Sequence, residues 1–347
     1  MKKMRNVLDR CVAASVLLTS IAVAGPAFAR TADGKLLIAV SFQRQQEQRW
    51  AVDRAAMEAE AAKQGVELRF EYANGDPIKQ ASQVESLLNF NPDVLILCPI
   101  SGATAGPIVN SAHDAGVPVI AYDGGVTTAK VDFYITRDNH QVGVLQAQEA
   151  LKFAPKGNYA MIKGDTQWAE LPAFVKGWDE TFAGHNDIKF VFDQYTTNWS
   201  PTAAQAHAEN ALSANNDDIA AFMVMNDAMA NGTIQALKSR NLAGKVFVSG
   251  NDAETPTLKL IKNGEQTMSV YTDIDDFGSS AVKAAIDLSN KKVPPHEKMV
   301  DQGAGEVPTH IVPIVAVTKD NLCEVVKKMA KGWTTVSAVF DDPNECK

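Results

Sequence analysis

The sequence predicts an α/β protein made of two similar doubly wound parallel-sheet lobes joined by a multi-segment hinge. Three observations carry that reading. Apolar runs of strand length alternate with helical patterns, the order expected of a parallel sheet covered on both faces. The alternation runs through the chain twice, and 347 residues with 46% hydrophobic content are enough for two ordinary domains. Finally, several apolar runs stop on Asn or Asp.

In the first series, KLLIAVSF (35–42) reads as a strand and QEQRWAVDRAAMEAEAAKQG (46–65) as a helix stopped by Gly65. VELRFEYA (66–73), DVLILCP (93–99) and VPVIAYD (117–123) read as further strands, with helices over 77–90 and 104–116. VDFYITRDN (131–139) is a strand that leads into a helix over 140–154 and into the second series. There the strands are YAMIKGD (159–165), IKFVFDQY (188–195), IAAFMVMND (219–227) and VFVSGND (246–252), with helices over 169–183, 202–213, 228–240 and 254–262. TMSVYTD (267–273), a helix over 275–290 and HIVPIVAVT (310–318) follow an apparently complete second lobe, so the chain is expected to cross between lobes more than once. The expected division is 30–138 plus 273–292 in the first lobe, 139–272 plus 293–318 in the second, and a tail over 319–347.

The strand ends carry the functional expectation. FMVMND, VFVSGND and PVIAYDGG all finish in polar residues, and in open α/β sheets ligands sit beyond the carboxyl ends of strands. Asn226, Asp252 and Asp123 are therefore candidates for a polar site. Asn and Asp also cap helices well. Asp227 is read as the cap of the helix that follows it, which leaves Asn226 to face the cleft, and Asp123 can also initiate the turn with Gly124 and Gly125.

Lys2, Lys3, Arg5 and Arg10 precede an apolar run from Val12 to Ala24, and Ala27-Phe28-Ala29 has the form of a cleavage site. Residues 1–29 are read as a secretory signal peptide, because the run is too short for a membrane span and gives way to Gly25-Pro26. The formal charge of −8 becomes about −11 without that segment, which argues against nucleic acid as a partner. Cys98 ends a buried strand, whereas Cys323 and Cys346 lie in the tail of an exported chain. A disulfide between them would close a loop of about two dozen residues and contribute roughly 3 kcal/mol. The six histidines show no ligand spacing, and neither a metal nor a cofactor is expected.

Several stretches resemble the periplasmic sugar-binding proteins of ABC importers, in the ribose/xylose-type branch. They include QRWAVDR (48–54), YANGD (72–76), DFYITRDNHQVGVLQA (132–147), NDAMANGTIQAL (226–237), LAGKVFVSGNDAE (242–254) and GEQTMSVY (264–271). They run in the family's order from residue 35 to about 318. The resemblance implies the type I periplasmic binding fold, a three-segment hinge, a sugar enclosed as the lobes close, a periplasmic location, and delivery to an ABC permease and its ATPase. No catalysis is implied, and a monomer is expected. Carried over position by position, Arg49 and Asp123 match sugar-bonding residues of the first lobe, and Trp199, Asn226 and Asp252 match those of the second. Their chemistry suits hydroxyls and a sugar's C–H face.

Gly124 and Thr272 stand where the xylose-type pattern has cations, and Trp168 and Glu170 replace its acidic and amide residues. With Arg49 as the one clear cation, a neutral pentose, related sugar or polyol is expected as ligand. Trp168 and Glu170 are included in the candidate ligand set, as is Asn139 at the first lobe crossing. Glu170 has an alternative as a first-turn helix acid and Asn139 as a hinge residue, while Trp178 reads as core. Two other functions stay open. A sensory protein could present the ligand to a chemoreceptor or sensor kinase, and a secreted glycoside-processing enzyme could use paired carboxylates, although no nucleotide-binding or nucleophile-elbow motif is present.

Overall fold

The computed structural model describes residues 34–45, 47–329 and 332–346. The signal-peptide reading of 1–29, Cys11 included, lies outside them. The first series forms β1 (Leu37–Phe42), α1 (Gln48–Gln64), β2 (Glu67–Tyr72), α2 (Pro77–Leu88), β3 (Val94–Leu97), α3 (Gly106–Asp114), β4 (Val119–Tyr122) and β5 (Phe133–Arg137). The second forms α4 (Asn139–Phe153), β6 (Gly157–Lys163), α5 (Leu171–Phe182), β7 (Ile188–Tyr195), α6 (Pro201–Ala214), β8 (Ala221–Val224), α7 (Asp227–Ser239), β9 (Phe247–Val248) and α8 (Thr255–Asn263). The chain then returns through β10 (Met268–Thr272), α9 (Ile274–Ser289), β11 (Lys298–Asp301), β12 (Glu306–Val312), β13 (Ile314–Thr318), α10 (Leu322–Lys328) and α11 (Val336–Val339).

Two sheets result. One has the order β11-β12-β5-β4-β3-β1-β2, parallel except for the β11–β12 pair, and the other is parallel with order β7-β6-β8-β9. β3, β4 and β8 are fully buried four-residue runs, which is why they read as unbroken apolar stretches rather than alternating ones. Separate apolar clusters fill the two lobes. One gathers Phe42, Trp50, Tyr122 and Phe277, and the other Tyr159, Trp168, Trp178 and Phe222.

One part of the expected lobe division is corrected. Residues 293–318 were assigned to the second lobe, yet β12 pairs with β5 of the first sheet, Thr309 opposite Tyr134, and only β13 pairs with β10. The cause is Pro313. It has no N–H for a ladder, so the run 310–318 is two strands in two lobes rather than one. The chain therefore crosses at 137–139, 272–274 and 312–314. Two of these crossings lie side by side, with Asp273 N donating to Pro313 O at 3.2 Å. Asp138 and Asp273 cap the helices that leave the hinge, accepting from Gln141 N and Asp276 N.

The tail is packed. Cys323 and Cys346 form the disulfide, with Cα atoms 5.1 Å apart, and Cys98 is a buried free thiol. Leu322, Val326, Trp333 and Phe340 share an apolar cluster with Val52 of α1 and with Leu258 and Ile261 of α8. Trp333 Nε1 donates to Ala253 O at 2.7 Å, and Gln48 Nε2 donates to Trp333 O. The tail thus joins the start of α1 to the loop before α8, on either side of the cleft. Among the described residues, no helix is long and apolar enough to cross a membrane.

Candidate ligand site between the lobes

A small, mostly polar-lined cavity lies where the strand ends of the two lobes meet. Arg49, Asp123, Trp168, Trp199, Asn226 and Asp252 all line it. Glu170 and Asn139 do not. They line a second depression on the far side of Arg137, together with Tyr134, His140 and Gln302.

Arg49, in the first turn of α1, is buried. Its Nε meets Asp53 Oδ2 at 3.3 Å, its Nη2 lies 2.8 Å from Asp123 Oδ1 and its Nη1 lies 3.8 Å from Asp252 across the cleft. Three carboxylates hold its pKa well above the ordinary value against the opposing effect of burial. The Nη2 contact is an ion pair without hydrogen-bond alignment, so that buried nitrogen has no hydrogen-bond partner. Asp53 is steadied from behind by the Tyr122 hydroxyl.

Asp123 follows β4 with φ of 66°, the left-handed region that Asp tolerates better than most residues. It accepts from Arg137 Nη1 at 2.7 Å. Burial alone would raise its pKa, but Arg49 and Arg137 outweigh that and keep it below the usual carboxylate range. Arg137 corrects the expectation that Arg49 is the one clear cation. It ends β5 and lines the cavity, so the strand-end rule that singled out Asp123 would have found it as well. Arg44 and Glu47, paired at 3.1 Å, also line the cavity. Formal charge on the lining is then balanced, with three arginines against Glu47, Asp123 and Asp252.

On the second lobe, the capping assignment is reversed. Asn226 is the N-cap of α7, its Oδ1 accepting from Met229 N at 3.0 Å, which leaves its amide NH₂ as the group it can offer the cavity. Asp227 is fully buried and accepts from Ser269 Oγ at 2.7 Å and from Glu254 N at 2.8 Å. The cap geometry explains the exchange. The residue before the first helical turn has extended backbone and aims its side chain at the N–H groups two and three places on, whereas Asp227 is already helical. Asp227 instead fixes the loop that presents Asp252. Gly250 allows this approach, since a Cβ there would lie 2.1 Å from Asp227 Oδ1. Gln146 of α4, buried and unnoticed in the sequence, donates to Val224 O and Gly250 O and so ties the two strand ends together.

Asp252 has φ of 105°, a strained value for Asp. Its Oδ1 accepts from Asn251 Nδ2 at 2.7 Å. Burial pushes its pKa up to about 7, opposed by Arg49 and Arg137. Trp199 sits in a turn where it and Asn198 both have φ near 55°, held by Asn198 N donating to Asp165 Oδ2 at 2.6 Å. Its ring lies over Gly164, where a Cβ would come within 2.2 Å of it, and meets Trp168 edge-on at 5.4 Å. Trp168 stands against Gly124, whose Cβ position is 3.6 Å from the indole, so one departure from the xylose-type pattern makes room for another. Thr272 is buried in the hinge strand β10 and does not line the cavity.

Two lobes, a three-strand crossing and a buried polar cavity between strand ends define a ligand-binding protein of the two-lobed kind. The chain belongs to the periplasmic binding protein domain family, whose model matches residues 38–292. It is 35% identical over 329 residues to the D-xylose-binding periplasmic protein of Escherichia coli, covering 94% of this chain and 97% of that one. It is 30% identical to the multiple sugar-binding periplasmic receptor ChvE of Rhizobium radiobacter, over 93% and 97% of the two chains. Among solved structures, a carbohydrate transporter solute-binding protein of Chloroflexus aurantiacus in complex with D-glucose superposes with a TM-score of 0.79 at 26% identity, covering 88% of this chain and 98% of that one. These relatives are sugar-binding proteins, which agrees with the family read from the sequence.

Proposed function

We propose that this chain captures a neutral monosaccharide, or a polyol of similar size, in the interlobe cavity in the periplasm and delivers it to an ABC importer. One observation supports this most: among the described residues, Arg137 Nε and Trp50 Nε1 are buried donors without a hydrogen-bond partner, and both residues line one formally charge-balanced cavity with Arg49, beside the carboxylates of Asp123 and Asp252. Sugar hydroxyls accept and donate at once, so they can satisfy both sets, and unmet buried donors are costly. Trp199 offers a flat face to ring C–H groups. An acidic ligand would add charge to a lining already balanced, and so would a basic one.

Pentoses, hexoses and polyols titrated while following Trp fluorescence and melting temperature test the proposal. At least one should raise the melting temperature in proportion to its occupancy. If no neutral sugar or polyol does so, the ligand class is wrong. Turnover of a pentoside during the same incubations would reject a purely binding role.

A further inference from the structure

Outside the cavity, the lobes meet at a seam made by the loops after β3 and β4 in the first lobe and the loop before α5 in the second. Gly102 N donates to Gln167 O at 3.3 Å. Glu170 Oε1 accepts from Gly125 N at 2.7 Å and from the Tyr134 hydroxyl at 2.5 Å. Both partners belong to the first lobe and flank Asp123, since Gly125 lies two residues beyond it and the Tyr134 hydroxyl is 3.2 Å from its carbonyl oxygen. The approach depends on glycine. A Cβ at Gly102 would fall 2.7 Å from Ala169 Cβ, and one at Gly125 would fall 2.9 Å from Glu170 Oε1. Glu170 occupies the N-cap position of α5 yet makes no capping bond, so its carboxyl is committed to the opposite lobe rather than to its own helix.

We propose that Glu170 is the latch of lobe closure, a positioning residue that holds the Asp123 turn against the second lobe without touching the ligand. This deepens the sugar-binding reading and rests on it. A carboxylate that accepts from two donors across a moving interface contributes only in the closed state. Its loss therefore opens the lobes sooner and leaves encounter almost untouched, because most affinity changes within one interface appear in dissociation.

The test measures association and dissociation rates by stopped-flow Trp fluorescence for the tightest-binding sugar and for two weaker ones. Glu170→Ala is expected to raise the dissociation rate about tenfold for every sugar by the same factor, with association changed less than about twofold. Glu170→Gln, which keeps the acceptor oxygen, should restore most of the loss. Gly125→Ala, at an ordinary φ, should weaken binding by crowding the same contact, and the unliganded melting temperatures of all three variants should stay near that of the parent. A Glu170→Ala dissociation rate equal to the parent's overturns the latch while leaving the sugar-binding reading intact. A loss that differs widely between sugars overturns it in favour of direct ligand contact. Absence of binding by the parent protein to any sugar overturns both.

Discussion

Asp123 and Asp252 end strands in the two lobes and line the same cavity, yet they are opposites electrostatically. Asp123 is gripped by Arg49 and Arg137 and stays ionised well below neutrality. Asp252 has one neutral donor, Asn251, and a guanidinium only at 3.8 Å, and burial raises it to about 7. Equal burial therefore does not mean equal charge. The nearest cation decides, and both arginines come from the first lobe. Asp123 is thus paired within its own lobe, whereas Asp252 has its guanidinium neighbour only across the cleft.

Breaking the first-lobe grip should have the largest effect. Arg49→Met leaves Asp53, Asp123 and Asp252 without their shared cation and should cost roughly 3–5 kcal/mol of stability, measurable by urea unfolding. A cost below about 1 kcal/mol would mean that the carboxylates protonate or hydrate cheaply. On the other wall, Asp252→Ala should spare folding but weaken sugar binding by about 2–4 kcal/mol in calorimetry, through buried hydroxyls left unpaired. Unchanged affinity would remove Asp252 from the site. Trp199→Ala should weaken binding by about 1 kcal/mol and reduce the ligand-induced fluorescence change.

A separate effect is on pH dependence. Because the Asp252 pKa is raised from 3.8 to about 7 in the folded state, its contribution to stability is full below about pH 4 and is lost as pH rises toward 7. Glu254, raised to about 8, acts in the same direction. Melting temperature of the unliganded parent should therefore fall over that window more steeply than that of Asp252→Asn. Asp123, lowered instead, makes the opposite contribution, which is lost at acid pH. Parallel curves for parent and variant would show that Asp252 ionises normally.

Most of the architecture was legible because strand and helix periodicity are local properties of the chain. The candidate site was legible as far as strand ends and family order reach, which is how six of eight candidates fall in one cavity. Glu170 fell elsewhere because its position before α5 says nothing about which lobe its side chain meets, and Asn139 because its amide bonds locally to Thr136 and Arg137 at the lobe crossing. Arg137 and Gln146 were passed over for a related reason, since an Arg ending a strand and a Gln within a helix have common exposed roles.

By itself the sequence determined the two α/β series, the more-than-once crossing and the polar strand ends, all of which follow from hydrophobic pattern and residue chemistry within a few positions. Tertiary structure alone decided that Pro313 sends one apolar run into two lobes and that Asn226 rather than Asp227 caps α7. It also decided that two aspartates of like setting carry different charge. Each of these depends on groups far apart in the chain, and both burial and Coulomb interaction act through space.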